Sequence, residues 1–157
     1  MCTRFFVAIF YGKIYTMLYR NFLKIHKPCP FCRSTNHIFA SRKTAYLTYA
    51  LAPYAKYHLL ALPKRHVIKI RELRPAEEKD ITELAKLGIK ILNTLKIKSA
   101  TVLVRDGGLN KSIAHLHYHV IPSHRIGDLD SNGKPRKVLG EKEIKNLVRR
   151  IEAVKQQ

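Results

Sequence analysis

Tryptophan is absent from this chain of 157 residues, and only two methionines and three cysteines are present. Seven glycines and seven prolines are too few for a collagen-like or low-complexity chain. Three cysteines are an odd number, which argues against a disulfide framework and favours a reducing, cytoplasmic compartment. A chain of this length is the size of a single domain with a core of its own.

Long hydrophobic runs are also missing. An apolar opening stretch at residues 5–19 is interrupted by Lys13 and followed by Arg20. It is shorter than the roughly 20 apolar residues that a bilayer span requires, and it lacks a signal-peptide cleavage site. We therefore expect no membrane span. The stretch is interpreted as a packing or dimer element, with a helix on a membrane surface as the alternative.

Acidic residues are few. Eleven Asp and Glu stand against thirty Lys and Arg, which gives a formal net charge of +19. Such an excess favours polyanionic partners, namely nucleotide phosphates, nucleic acid or an anionic membrane. A basic surface that serves only solubility is the alternative, because net charge by itself does not define a site.

The residue pattern predicts an α+β fold. Short β-like runs recur between Pro, Gly, Asn and Lys-rich breaks, at 37–41, 45–51, 57–62, 100–105 and 112–121. Apolar residues at helical spacing predict a helix over 75–95, with Pro75 at its first position. A second apolar stripe runs through the segment that starts at Glu141 and predicts a C-terminal helix. This helix is expected to cover the core or a dimer partner, and ligand binding is the alternative. The expected architecture is an antiparallel sheet with a packed helix and an additional C-terminal helix.

The histidines are concentrated in one segment. Three of the eight, His115, His117 and His119, alternate with apolar residues. In a β-strand this pattern places three imidazoles on one face, with Cα atoms roughly 6.6–6.8 Å apart. That spacing suits a groove rather than one set of metal ligands, so each ring is expected to have its own role. Imidazole is a good nucleophile towards phosphorus near neutral pH, and the row therefore favours phosphoryl or nucleotidyl transfer.

A glycine-containing turn precedes the histidines. Such a turn can direct backbone N–H groups, the Ser112 hydroxyl and the Lys111 ammonium towards phosphate oxygens. A simple hairpin turn is the alternative interpretation. The turn gains functional weight only because it leads into the histidine segment.

The histidine segment carries a resemblance to a known family. The run His-x-His-x-His-Val-Ile-Pro at 115–122, preceded by Ser112, resembles the histidine triad (HIT) superfamily of nucleotide hydrolases and transferases. The resemblance extends to the run 58–66, which ends in Pro-Lys-Arg-His, and to the predicted helix, so that it covers about 29–128. It implies an antiparallel α+β fold, a homodimer, and hydrolysis of nucleoside phosphates that carry a leaving group.

The resemblance also implies residue roles. The middle histidine of the triad, His117, would attack the α-phosphorus to form a nucleotidyl-imidazole intermediate that water then cleaves. His119 would contact the phosphate and assist departure of the leaving group, Ser112 would bind a phosphate oxygen, and His115 would support the nucleophile. Lys111 stands where many relatives have a glutamine, and it would add a positive charge at the phosphate or face solvent. Ala50 stands where relatives often have Asp or Asn to hold the ribose, so a preference for adenosine does not carry over.

The cysteine pair predicts a metal site. Cys29 and Cys32 have the C-x-x-C spacing of structural zinc sites, but no second pair follows nearby, so further ligands must come from distant residues. A reduced, metal-free pair is the alternative. Some members of the superfamily hold zinc with such a pair and with two histidines that correspond to His66 and His115. That resemblance implies a closed, structural Cys₂His₂ zinc site.

Three functions remain possible from the sequence. The first is a zinc-containing nucleotide hydrolase that acts on dinucleoside polyphosphates or phosphoramidates. The second is a deadenylylating enzyme that acts on nucleic-acid 5′ ends, and the third is a non-catalytic zinc module that binds nucleic acid through the basic surface. The predicted organisation is an N-terminal extension at 1–28, a HIT-like domain at 29–128, and a basic linker with a C-terminal helix at 129–157.

Overall fold

The computed structural model describes residues 29–32, 36–107, 113–122 and 138–155, together with positions 21 and 24. These residues form one five-stranded antiparallel sheet with the order β1-β2-β3-β5-β4. The five strands are β1 Ile38–Ser41, β2 Ala45–Tyr49, β3 Leu59–Pro63, β4 Ala100–Val104 and β5 Tyr118–Pro122. The predicted α+β class is confirmed, whereas the apolar stretch at 5–19 lies outside the described residues.

Two long helices accompany the sheet. Helix α1 (Pro75–Thr94) connects β3 to β4 and is preceded by a short 3₁₀ helix at Ile70–Glu72, and helix α2 (Glu141–Lys155) follows the last strand. Proline suits the first position of α1 because a backbone N–H at that position would have no acceptor within the helix. Glu77 accepts a hydrogen bond from the backbone N–H of Arg74 at 2.8 Å, which caps the helix N-terminus. None of the helices in the described ranges is long and apolar enough to cross a membrane.

Both helices cover the same face of the sheet. The core on that face joins strand residues such as Leu47 and Val120 to Ile81 and Leu84 of α1. Helix α2 adds Leu147 and Ile151 to this core, and Ile151 is fully buried. The C-terminal helix therefore packs on the core, which is one of the alternatives that its apolar stripe predicted.

Polar contacts also attach α2 to the edge strand. Glu152 Oε1 lies 2.7 Å from Nε2 of His37, and Lys155 Nζ donates to the backbone oxygen of Phe39 in β1. At the other end of the segment, the N–H of Leu139 donates to the backbone oxygen of Leu51 at 2.9 Å. The segment 138–155 thus runs from the loop after β2 to the edge at β1.

The opposite face of the sheet has a smaller apolar cluster. Tyr46, Ala50, Leu60 and Leu62 form this cluster, and Phe31 of the C-x-x-C segment packs against it. The Tyr46 hydroxyl donates to the backbone oxygen of Phe31 at 3.0 Å. The cysteine segment is therefore held on the face that the two helices leave open, and the candidate site lies on this face.

The last predicted strand is shorter than expected. The sequence predicts a strand over 112–121, whereas β5 begins only at Tyr118 and the backbone bends at residues 113–115. Leu116 donates its N–H to the backbone oxygen of Val67 at 2.6 Å, outside the sheet. Of the three histidines, only His119 therefore lies in a strand. The predicted alternation across a single strand is wrong for His115 and His117.

Candidate active site

A buried pair of histidines stands at the centre of the site. His58 Nε2 lies 2.9 Å from His119 Nδ1, and the two residues are only 1% and 6% exposed. The backbone N–H of Tyr54 donates to His58 Nδ1 at 3.2 Å, so this nitrogen acts as the acceptor. In neutral rings, His58 Nε2 then carries the proton that it donates to His119 Nδ1. By the same argument, the Nε2 atom of His119 carries a proton and is a hydrogen-bond donor.

His117 has the opposite arrangement. Its Nδ1 lies 2.6 Å from the backbone oxygen of His115, and a carbonyl oxygen can only accept, so Nδ1 carries the proton. The Nε2 atom of a neutral His117 is then an unprotonated base. The ring centroids of His117 and His119 are 4.6 Å apart. The site thus places an imidazole lone pair beside an imidazole N–H donor.

His115 is fully buried and contacts the end of β3 and the two cysteines. Its Nε2 donates to the backbone oxygen of Pro63 at the end of β3, at 2.9 Å. Its Nδ1 consequently has a lone pair, and it lies 3.6 Å from Cys29 Sγ and 3.5 Å from Cys32 Sγ. The two sulfur atoms therefore face a nitrogen that is available as a ligand.

Four side chains converge at this point and form the Cys₂His₂ cluster of Cys29, Cys32, His66 and His115. Their ligand atoms all lie within 4.8 Å of one another, and Cys32 Sγ is 3.2 Å from His66 Nδ1. Tetrahedral zinc with ordinary bond lengths gives a sulfur-to-nitrogen separation of about 3.5 Å. The three measured separations of 3.2, 3.5 and 3.6 Å agree with this value, so the residues fit a zinc ion. The structure brings together all four residues that the sequence predicts as metal ligands.

The electrostatics of the thiols also favour a metal ion at this cluster. Burial, followed by the hydrogen bond and the charge of Cys29, raises the pKa of Cys32 to about 11. Burial raises the pKa of Tyr46 as well, with further contributions from Cys29 and Cys32. An ionised Cys32 is thus unfavourable at neutral pH without a cation. A divalent metal ion supplies the charge that stabilises thiolate ligands.

Sequence reasoning missed two aromatic residues of the site. The ring of Phe31 meets those of His115 and His117 edge-on, at centroid distances of 5.7 and 5.2 Å. Tyr54 stacks on His58 at 5.5 Å and meets His119 at 5.9 Å. Phe31 sits inside the C-x-x-C segment, so its position in the sequence was a usable signal. Nothing in the sequence near Tyr54 indicates its contact with His119, which is distant along the chain.

The predicted phosphate contacts lie in part outside the described residues. Lys111 and Ser112 both fall there, and Gly107, which has a φ of 71°, is the last described residue before them. Ala50 is 4% exposed and belongs to the cluster beneath the site. It offers no side-chain acceptor to a ribose, as the sequence already indicates.

The fold and the geometry together define a histidine-triad protein, and comparison with known proteins agrees. A family model described as "HIT domain" matches residues 33–126, and the chain belongs to this family. The match covers both cysteine-cluster histidines and all three triad positions. The recognition of the triad from its sequence motif is therefore confirmed.

Three curated relatives are similar to part of the chain. The nitrilase and fragile histidine triad fusion protein of Caenorhabditis elegans is 32% identical over 62% of this chain and 22% of its own length. A bifunctional bis(5′-adenosyl)-triphosphatase/adenylylsulfatase of Arabidopsis thaliana is 28% identical over 73% of this chain and 64% of its own. An adenosine 5′-monophosphoramidase of Schizosaccharomyces pombe is 31% identical over 62% and 71%, respectively. The chain thus spans less than two thirds of the first two of these relatives.

Solved structures share the fold. A hypothetical histidine triad nucleotide-binding protein of Sulfolobus tokodaii has a TM-score of 0.66 at 22% identity, over 82% of this chain and 92% of its own. A Zn-bound histidine triad family protein of Mycobacterium smegmatis has a TM-score of 0.61 at 18% identity, over 82% and 96%. At these identities the likeness concerns the fold alone.

Proposed function

We propose that the protein is a nucleotide hydrolase that cleaves at the α-phosphate of a nucleoside phosphate conjugate through a nucleotidyl-histidine intermediate. One observation carries this proposal: the hydrogen bond of 2.6 Å from His117 Nδ1 to the backbone oxygen of His115. It leaves the lone pair of His117 on Nε2, next to the ring of His119. A histidine nucleophile needs an unprotonated ring nitrogen, and the hydrogen bond to an acceptor keeps the proton on the other nitrogen of the ring.

In the first step, His117 Nε2 attacks the α-phosphorus. A nitrogen–phosphorus bond forms while the bond between phosphorus and the leaving group breaks with its electron pair. The Nε2–H group of His119 donates a hydrogen bond to a departing phosphate oxygen and stabilises its negative charge. With a phosphoramidate it transfers this proton to the departing amine nitrogen, and the proton is restored from solvent after water has attacked. The nucleotidylated ring of His117 is positively charged, and the carbonyl of His115 stabilises it through the Nδ1–H group.

In the second step, water attacks the same phosphorus. The new oxygen–phosphorus bond replaces the nitrogen–phosphorus bond, His117 regains its lone pair, and one proton of the water is released to solvent. The products are a nucleoside monophosphate and the leaving group. We assign Ser112, Lys111 and His119 to the phosphate oxygens, in agreement with the family resemblance.

The Cys₂His₂ cluster is proposed to hold a structural zinc ion through Cys29, Cys32, His66 and His115. Zinc bound there supplies a fixed cross-link and has no coordination position left for substrate. The M. smegmatis relative is described as Zn-bound. Since the carbonyl of His115 holds the ring of His117, a ligated His115 ring stabilises the orientation of the nucleophile.

The relatives differ in the bond that they cleave. Their names describe a triphosphatase with adenylylsulfatase activity and a phosphoramidase. A dinucleoside polyphosphate and a phosphoramidate are accordingly the substrate classes proposed for this chain. The net charge of +19 favours a second candidate, a deadenylylating enzyme for nucleic-acid 5′ ends, whose binding weakens steeply as salt rises. A homodimer and the division into 1–28, 29–128 and 129–157 are proposed on the family resemblance.

Product analysis by chromatography tests the proposal. Wild type and His117→Ala receive diadenosine triphosphate, adenosine phosphoramidate and a 5′-adenylylated oligonucleotide. We expect wild type to release AMP and the folded variant to release none. Absence of release from all three substrates by folded wild-type protein, or undiminished release by the variant, contradicts the proposed function.

A further inference from the structure

The pairing of β4 with β5 places an arginine beside the triad. Leu103 faces His119 and Val104 faces Tyr118 in this pairing. Arg105 directly follows Val104, the last paired residue of β4. Because successive strand residues alternate between the two faces of a sheet, continuing β4 by one residue places Arg105 on the face of Leu103 and His119.

Tyr54 determines where the guanidinium lies on that face. Arg105 Nη1 donates to the Tyr54 hydroxyl at 3.4 Å, and the Tyr54 ring lies 5.9 Å from the ring of His119. Phe31, in contrast, lies against His115 and His117. The positive charge therefore stands on the His119 side of the site, where the proposed mechanism places the leaving group.

The carboxylate next in sequence bonds a backbone group of the 3₁₀ helix before α1. Asp106 Oδ1 accepts a hydrogen bond from the backbone N–H of Ile70 at 2.6 Å. Tyr118 packs with the helix-side core, and its pKa is raised by burial and, to a lesser extent, by Glu78 and Asp106. Asp106 is thus tied to the segment that precedes α1. A guanidinium is always charged at physiological pH, and it binds phosphate oxygens through paired N–H groups.

We propose that Arg105, oriented by the Tyr54 hydroxyl, is a specificity-determining residue that binds an anionic leaving group, such as the phosphate beyond the scissile bond of a nucleoside polyphosphate. This assignment rests on the proposed function and narrows it. A polyphosphate substrate gains the interaction with Arg105, whereas the neutral amine of a phosphoramidate does not. The chain therefore prefers substrates whose leaving group is charged.

Binding provides a test that does not require turnover. Calorimetric titration with AMP and with ADP compares one phosphate with two on wild type, Arg105→Gln, Arg105→Lys and Tyr54→Phe. Loss of a charge-assisted hydrogen bond typically weakens binding about tenfold or more. We expect Arg105→Gln to weaken ADP binding by that factor and AMP binding by less than about twofold, with intermediate losses for Arg105→Lys and Tyr54→Phe.

Arg149→Gln is the matched control for the change in charge. Arg149 is exposed on α2, and its guanidinium bonds Asn146 of the same helix. We expect this variant to bind both nucleotides as wild type does. Equal losses for AMP and ADP in Arg105→Gln, or no loss in either, overturn the assignment.

Turnover then separates this inference from the proposed function. For Arg105→Gln, we expect kcat/KM to fall about tenfold or more with diadenosine triphosphate and less than about threefold with adenosine phosphoramidate. Equal decreases with both substrates overturn the leaving-group assignment while the hydrolase proposal stands. If wild type hydrolyses neither substrate while Arg105→Gln selectively loses ADP binding, the phosphate site is supported and the hydrolase proposal is refuted.

Discussion

His58 Nε2 lies 2.9 Å from His119 Nδ1, and the backbone N–H of Tyr54 fixes which of these two atoms carries the proton. A main-chain group thereby determines the tautomer of a triad histidine through an intermediate imidazole. In neutral rings, this relay places the second proton of the pair on His119 Nε2.

Replacing His58 tests this relationship. His58→Leu removes the donor to His119 Nδ1, so we expect kcat to fall about tenfold or more because the His119 tautomer is no longer fixed. His58→Gln keeps an N–H donor near the same place and should retain a larger part of the activity. Steady-state kinetics on an adenylyl substrate measures both variants. A glutamine variant as impaired as the leucine variant indicates a packing role for His58 instead.

Metal analysis tests the Cys₂His₂ cluster. We expect about one equivalent of zinc per chain purified without chelator, and a loss of most of it in His66→Ala. His37→Ala is the matched control, since His37 contacts Glu152 far from the cluster. Less than a tenth of an equivalent in the wild-type protein contradicts the zinc proposal.

Zinc affinity should depend on pH. The pKa of Cys32 is about 11 without metal, so the thiol is protonated at neutral pH and zinc must displace its proton. Affinity therefore rises with pH, by about tenfold per pH unit for each proton released. Competition with a chromogenic chelator at pH 6.5 and pH 8 measures the slope. An affinity that stays constant between these values shows that the thiol is already ionised.

The ion pair between the exposed Arg65 and the buried Glu77 at the start of α1 predicts a pH-dependent contribution to stability. The side-chain hydrogen bond from Arg65, opposed by burial, lowers the pKa of Glu77 from 4.5 to about 2. A lowered pKa stabilises the folded state above pH 4.5, and this contribution disappears as pH falls from 4.5 towards 2. Since Arg65 is 40% exposed, solvent screens the pair, and we expect Glu77→Gln to cost about 1–2 kcal/mol at pH 7.

Urea unfolding at pH 7 and pH 3 measures this dependence. The difference between wild type and Glu77→Gln should shrink to less than half at pH 3. Glu83→Gln is the control, because the ion pair of Glu83 with Arg42 is exposed on both sides, and it should change stability by less than about 1 kcal/mol. A Glu77→Gln difference that is the same at both pH values contradicts the assignment.

Truncation of a core side chain in α2 tests whether the C-terminal helix stabilises the fold. Ile151 is fully buried among residues of the sheet and α1, so Ile151→Ala should cost about 2–4 kcal/mol of unfolding free energy. Ile144 only borders the same core, and Ile144→Ala should cost clearly less. Equal and small costs for both variants mean that α2 adds little to stability.

Local patterns predicted most of the fold. The helix expected at 75–95 spans Pro75–Thr94, and all five strands overlap the predicted runs, three of them lying wholly within. The strand order could not be predicted, because β3 pairs with β5 across α1 and β4. His115 and His117 were wrongly placed in the last strand, since Leu116 bonds Val67 instead of a neighbouring strand. The hydrogen bond of Leu116 to a distant backbone group takes the place of the strand pairing that the alternation of histidines and apolar residues predicted.

Recognition of the site was uneven for a similar reason. The Cys₂His₂ residues were grouped through the family resemblance, and spacing alone identified only Cys29 and Cys32 as a pair. Tyr54 and Arg105 were missed because their relevance arises from the pairing of strands and from one side-chain hydrogen bond. Motifs reveal residues that are close in sequence, whereas these contacts exist only in the folded sheet.

The pairing of β3 with β5 has a kinetic consequence. His58 and His119 are 61 residues apart, and their contact forms only when these two strands align, after α1 and β4 have been placed between them along the chain. Closing so long a loop is slow compared with forming a helix. Recovery of the proposed hydrolase activity during refolding should therefore lag behind recovery of helical signal, so that the candidate site is among the last parts of the molecule to assemble.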